Sequence, residues 1–202
     1  LFRDPLSGED SDGLELPVEF QIVGDNLGYV AIYSFLDDDT LAIQLWEGMI
    51  REMRASGVDS LIVDMRENSG GDPFLADQMA AYFFNEELVV GRRGTYSEQT
   101  GDFYFDPDLT RQFYIPTEEL RFQGDVVVLV GPSCASACER FAYDMTLQDR
   151  ATIIGQYPTA GLGGGVEDFL MPLDMTVRIT VTRSVDVNGE LHIEGQGIAP
   201  TL

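Results

Sequence analysis

A serine that opens a helix directly after a buried strand is held rigidly at the edge of a sheet, where the helix N-terminus and free backbone N–H groups favour developing negative charge. Ser136 has that setting. It lies in the run Gly131-Pro132-Ser133-Cys134-Ala135-Ser136-Ala137-Cys138-Glu139, with apolar Val126 to Val130 before it and Phe141, Ala142 and Met145 at helical spacing after it. The small neighbours Ala135 and Ala137 leave room for a carbonyl to approach. A serine before a helix more often only caps it, so the chemistry needs a second element. The run Asp64 to Pro73 offers one, because its paired Gly70-Gly71 can turn additional N–H groups toward a developing oxyanion. The reaction such parts perform is acyl transfer through a serine.

The base is the open question. All 12 basic residues are Arg, and the absence of lysine excludes a Ser-Lys dyad built from this chain. The sole histidine, His192, stands beside a hairpin signal, where histidine is more often a surface or packing residue than a base. Cys134 and Cys138 cannot by themselves complete a four-ligand zinc site. On a helix they would make a strained disulfide, so two buried thiols are expected. No cofactor or metal site is expected.

Strand-turn-helix units must position these residues. Val18, Phe20 and Ile22 alternate, and a second strand is expected from Tyr29 to Phe35. Thr40 is expected to cap a helix with Leu41, Leu45, Met49 and Met53 on one stripe, widened by Trp46 and Ile50 and ended by Gly57. Leu61 to Val63 reads as a buried strand. Asp72 and Pro73 then read as N-cap and first residue of a helix to Phe84. Residues Gly91 to Gln123 are expected to hold short strands or a loop excursion. Strands are expected over Thr152 to Gly155, Val166 to Leu170 and Met175 to Val185. Asn188-Gly189 predicts a hairpin to a last strand, Leu191 to Glu194. The alternation predicts an α/β domain over 17–202, with residues 1–16 as a tether or the end of a preceding module.

Composition narrows the partners. Thirty-five acidic residues and a formal charge of −23 repel phosphate backbones and anionic lipid, which argues against nucleic acid. No apolar run is long enough to span a membrane. A leader, if one exists, has been removed or lies upstream.

Gly28-Tyr29-Val30, then Gly57 to Gly71, then Val128 to Glu139 resemble, in that order, the blocks of the tail-specific (carboxyl-terminal processing) and tricorn-core serine peptidases. The resemblance continues through Arg150-Ala151, Gly155 and Pro158-Thr159 to Glu194-Gly195-Gln196-Gly197-Ile198-Ala199-Pro200. It implies a ClpP/crotonase-like β-α superhelix, a polypeptide substrate that is unstructured or presented by its terminus, and Ser136 as nucleophile. Backbone N–H groups of Gly70, Gly71 and Ala137 would form the oxyanion hole. An extracytoplasmic or secreted location is expected.

The departures narrow the branch. Where the bacterial processing branch resembles Pro-Thr-Phe-Gly-Lys-Gly, this chain has Pro158-Thr159-Ala160-Gly161-Leu162-Gly163, and Leu162 cannot take a proton. That branch's accessory aspartate falls at Leu147. The tricorn-core branch instead resembles a Ser-His-Ser-Glu tetrad, which Glu194 matches as the carboxylate. Its base histidine would come from a segment upstream of a PDZ-like module, outside these residues. His192 shares a face with Glu194 if the two lie on a strand. Two rivals are weighed: a non-catalytic relative binding apolar ligands or peptides in the same cleft, and a crotonase-type acyl-CoA enzyme, which the lack of a basic patch disfavours.

Overall fold

The computed structural model describes residues 16–36 and 38–202, so the expected tether over 1–16 lies outside the described residues except for Leu16. The chain opens with an antiparallel pair, β1 (Val18–Val23) and β2 (Leu27–Ile32). Helix α1 (Asp39–Ala55) follows, turning Ala42, Trp46, Met49, Ile50 and Met53 into the core. Its N-cap is Asp38 rather than Thr40, because the Asp38 carboxylate accepts from the Leu41 N–H at 2.9 Å and leaves Thr40 inside the first turn.

Strand β3 (Ser60–Asp64) and β6 (Asp125–Leu129) are adjacent and parallel, paired from Ser60 against Asp125 to Asp64 against Leu129. With β7 (Thr152–Ile154) they complete a five-stranded sheet of order β1-β2-β3-β6-β7, parallel from β2 onward. Helix α2 (Pro73–Ala81) follows β3, and α3 (Ala137–Asp144) follows β6. The turns leaving β3 and β6 therefore emerge side by side at the strands' carboxyl ends, where open α/β sheets place their ligands.

An aromatic cluster anchors the helices to this sheet. Phe141 of α3 meets Trp46 and Phe83 edge-on, with ring centres 6.3 Å away in each case, and stacks with Phe35 at 6.3 Å. All four rings are buried.

The region after α2 differs from expectation. It forms a long antiparallel pair, β4 (Val89–Ser97) and β5 (Asp102–Gln112), with irregular register at Val89/Gly91 and Arg92/Gly94 that breaks the alternation a sequence reading needs. Met175 to Val185 is two strands. The first, β9 (Met175–Thr180), pairs with β8 (Val166–Met171), while β10 (Thr182–Val185) pairs with β4. The turn at Asn188-Gly189 is closed by Asp186, whose Oδ1 accepts from the Asn188 and Glu190 N–H groups at 2.9 and 2.8 Å. No strand follows it. The Gln196 and Gly197 N–H groups both turn back to the Ile193 carbonyl, so Leu191 to Glu194 is not extended and His192 and Glu194 share no strand face. Helix α2 stops at Ala81, three residues before the expected end.

Arg150 ties the layers together. Its guanidinium donates to the carbonyls of Phe83, Phe122 and Gly124 at 2.7 to 2.9 Å. Arg150→Met, which keeps the bulk and strands three carbonyls, is expected to lower unfolding free energy by about 2–3 kcal/mol in urea titrations.

Candidate active site

Ser136 is the N-cap of α3 and has φ +56° and ψ −116°, a backbone state that costs about 1–3 kcal/mol for a residue with a side chain. Such a turn holds only if its surroundings over-determine it. Glu139, fully buried, supplies the main constraint. Its Oε2 accepts from the N–H groups of Ser136 at 3.0 Å and Leu162 at 2.8 Å, and its Oε1 accepts from Thr159 Oγ1 and the Gly161 N–H, both at 2.6 Å. Ala160 adds a bond from its N–H to the Cys134 carbonyl at 2.9 Å.

Cys134 and Cys138 are joined in a disulfide, contrary to the two thiols expected. The expectation assumed a helix through both residues, whereas α3 begins at Ala137 and Cys134 lies in the turn, which brings the two Cα atoms to 5.4 Å, within disulfide range. Ser136 therefore sits inside a five-residue ring.

The diglycine turn packs directly on this ring. Gly70 has φ +109°, and a Cβ there would lie 2.7 Å from the Ala135 oxygen and 2.8 Å from Ser136 Cβ. Gly71 has φ +140°, and its Cβ would meet the Phe35 backbone at 2.1 Å. No other residue type fits either place. Asn68 holds the turn from inside: its Nδ2 donates to the Ile32 carbonyl at 3.0 Å and its Oδ1 accepts from the Gly70 N–H at 2.8 Å. That bond corrects the expectation for Gly70, whose N–H is already engaged. Among the described residues the Gly71 and Ala137 N–H groups have no acceptor, and Ala137, as the first residue of α3, has none available within its helix.

The other sequence candidates lie further off. Glu194 accepts from the Gly164 N–H at 2.8 Å and from Thr180 Oγ1 at 3.4 Å, so its carboxylate holds the 161–165 loop and hydrogen-bonds no atom of Ser136. The C-terminal segment supports the same loop through Gly195 N–H to the Gly161 carbonyl and Ile198 N–H to Thr159 Oγ1, at 2.8 and 2.6 Å. Leu162 is beside Ser136, since the N–H groups of the two share an oxygen of Glu139, and its side chain is exposed. Leu147 lies past the end of α3, in a short 3-10 turn.

His192 packs at a tilt against Tyr143, with ring centres 4.1 Å apart. Tyr143 is seven residues beyond Ser136 on α3, about 10 Å along the axis, so His192 cannot serve as the base. Both of its ring nitrogens are buried without partners. Burial, and then the Arg111 charge, push its pKa down to about 4.

A strained serine inside a braced turn thus packs against the diglycine turn that leaves the neighbouring parallel strand, with the Gly71 and Ala137 N–H groups unpaired among the described residues, a layout of the serine-peptidase class. The sequence profile of peptidase family S41 matches residues 26–202, and the chain belongs to that family. It is 29% identical over 197 residues to a tail-specific protease of Haemophilus influenzae, covering 94% of this chain and 26% of that protein. It is 28% identical over 191 residues to a carboxy-terminal-processing protease of Bartonella bacilliformis, covering 92% and 40%. The chain thus spans less than half the length of these relatives. Among solved structures it is similar in fold to the photosystem II D1 C-terminal processing protease, at TM-score 0.62 and 23% identity over 93% of this chain and 48% of that one. It is also similar to the tricorn protease, at TM-score 0.54 and 17% identity over 87% and 15%. No helix among the described residues is long and apolar enough to cross a membrane.

Two outcomes are expected. Glu139→Gln turns two of its four donors toward an NH2 group, and should cost about 3 kcal/mol in denaturant titrations and speed hydrogen exchange at the Ser136 and Leu162 amides. His192 is neutral when folded but gains a proton on unfolding below pH 6.5, so its contribution is present above pH 6.5 and lost as the pH falls toward about 4. Thermal melts of His192→Phe over that window should show a weaker loss on acidification than the parent chain.

Proposed function

We propose that this chain is the catalytic core of a serine endopeptidase, with Ser136 as nucleophile and the Gly71 and Ala137 N–H groups as oxyanion donors. The observation that carries this reading is the contact between two turns: the diglycine bend lies against Ser136 with two amides unpaired beside it. Ser136 Oγ attacks a peptide carbonyl, its proton passes to a base, and the amides stabilise the tetrahedral oxyanion. Loss of one such donor costs about 2.7–4 kcal/mol of transition-state stabilisation.

The base comes from outside the described residues. His192 is too far, lysine is absent, and Leu162 occupies the place beside Ser136 where the lysine branch carries its amine. A histidine from an upstream segment, ahead of a PDZ-like module, agrees with this vacancy, and residues 17–202 then form the catalytic unit. In that arrangement Glu194 assists by holding the loop beside the nucleophile. The names of the relatives favour polypeptide C-termini as substrate. The disulfide favours an oxidising, extracytoplasmic location.

The test is labelling of the intact protein with a fluorophosphonate. Stoichiometric modification at Ser136, abolished by Ser136→Ala, is expected, and an unlabelled Ser136 overturns the reading. The chain of 202 residues alone is expected to hydrolyse peptides little or not at all. Leu162→Lys in that isolated chain should raise the rate of Ser136 labelling at least about tenfold by supplying a base in reach.

A further inference from the structure

Between α2, α3 and the β4–β5 pair lies a cavity of about 200 Å3 lined by Asp77, Arg93, Arg111 and Arg140, with Phe74 and Tyr114 also in its wall. The two rings stand 6.4 Å apart and are exposed, forming a lip. Three of the chain's 12 arginines converge here, although the whole molecule carries a formal charge of −23.

The charges in the cavity do not balance. Arg111 is paired: its Nε and Nη2 donate to the two oxygens of Asp77 at 3.0 and 2.6 Å, and Nη2 approaches Asp144 at 3.5 Å. Its Nη1 is buried with no acceptor. Arg140 is 5% exposed, and among the described residues it meets no carboxylate; its Nη2 donates to Ser184 Oγ at 2.6 Å. Burial, and then the Arg111 charge, push its pKa down to about 10 against the opposing charges of Asp77 and Asp144, and it stays charged at neutral pH. Burial and neighbouring Asp77 push the Asp144 carboxyl well up, which weakens it as a counter-charge. Arg93, on β4, is exposed and has no ion pair among the described residues. A buried guanidinium that bonds a hydroxyl and no carboxylate is costly, and an incoming carboxylate relieves that cost.

The position relative to the nucleophile gives the cavity its use. Arg140 is four residues past Ser136 on the same face of α3, a rise of about 6 Å. Phe74 and Asp77 belong to the helix that begins directly after Gly71 and Asp72. An extended peptide advances about 3.3 Å per residue, so about two residues cover that interval.

We propose that this cavity is a carboxylate subsite of the substrate cleft, which takes an acidic side chain or a terminal carboxylate about two residues from the scissile bond. The proposal rests on the peptidase reading and adds substrate selection to it. The planar guanidinium forks of Arg93 and Arg140 grip the carboxylate, Arg111 Nη1 supplies a further donor, and the Phe74 and Tyr114 rings exclude water from the pair.

The test is peptide binding by fluorescence anisotropy, using dye-labelled hexapeptides and the intact protein with Ser136→Ala to prevent turnover. One blocked peptide carries Glu two residues from its centre, a second carries Gln there, and a third is neutral in its side chains with a free C-terminal carboxylate. At least about tenfold tighter binding of a carboxylate-bearing peptide than of the Gln peptide is expected, with the preference abolished by Arg93→Gln and by Arg140→Gln. The Glu and free-terminus arms identify which carboxylate is taken. Arg93 is exposed, so Arg93→Gln keeps the test readable if Arg140→Gln fails to fold. Equal affinity for all three peptides, no binding of any, or a preference untouched by Arg93→Gln overturns the subsite. Fluorophosphonate labelling of the unsubstituted protein is scored separately. A labelled Ser136 without carboxylate preference removes only the subsite, whereas carboxylate preference with an unlabelled Ser136 removes the peptidase reading.

Discussion

The buried carboxylate of Glu139 is the constraint on which the site's geometry depends. A lone carboxylate sealed from water is strongly unfavourable. Here four donors surround it, coming from the Ser136 turn and from residues 159, 161 and 162. The stabilisation is mutual, because each amide would otherwise be an unpaired donor in a nearly dry place. One side chain thus fixes the backbone of Ser136 and of the loop facing it, while the C-terminal segment braces that loop from behind through Gly195, Ile198 and Glu194.

A second constraint comes from the sheet. Ser136 and Gly70 are far apart in sequence, but they follow β6 and β3, which are neighbours in parallel register. Parallel pairing brings their exit turns together, and the absence of a Cβ at Gly70 lets the two turns touch. Asn68 completes the arrangement from the core, linking the diglycine turn to the end of β2 through the Ile32 carbonyl.

How much of this was legible in the sequence follows from how local each signal is. The strands around Leu61 and Val126, the Trp46 stripe of α1, and the Asp72-Pro73 start of α2 rest on periodicity and caps within a few residues, and the structure has them close to where they are expected. The β4–β5 pair was obscured because its bulges interrupt alternation. The last expected strand failed because a sound turn signal at Asn188-Gly189 does not guarantee a partner beyond it. Glu139 served in the sequence only as a landmark three residues after Ser136. Its donors at 159 to 162 lie more than five helical turns away along the chain, and no local pattern announces them. A buried Glu at N3 of a helix behind a small-residue turn was the available clue. The disulfide was missed for a related reason, since extending α3 backward over Cys134 made an easily bridged pair look strained.

The bridge between Cys134 and Cys138 carries a consequence for how the chain acquires its shape. A ring of five residues restricts the unfolded chain little, by about 2 kcal/mol against about 4.7 for a hundred-residue loop. Its influence is therefore concentrated on the arc that it encloses, and the bulk of the molecule draws its cohesion from elsewhere. Because the two sulfurs are separated by so short a span, their joining requires no sheet. An oxidant can therefore close this arc without any of the parallel strands in place, while the contacts of Glu139 that complete the bend wait for the fold.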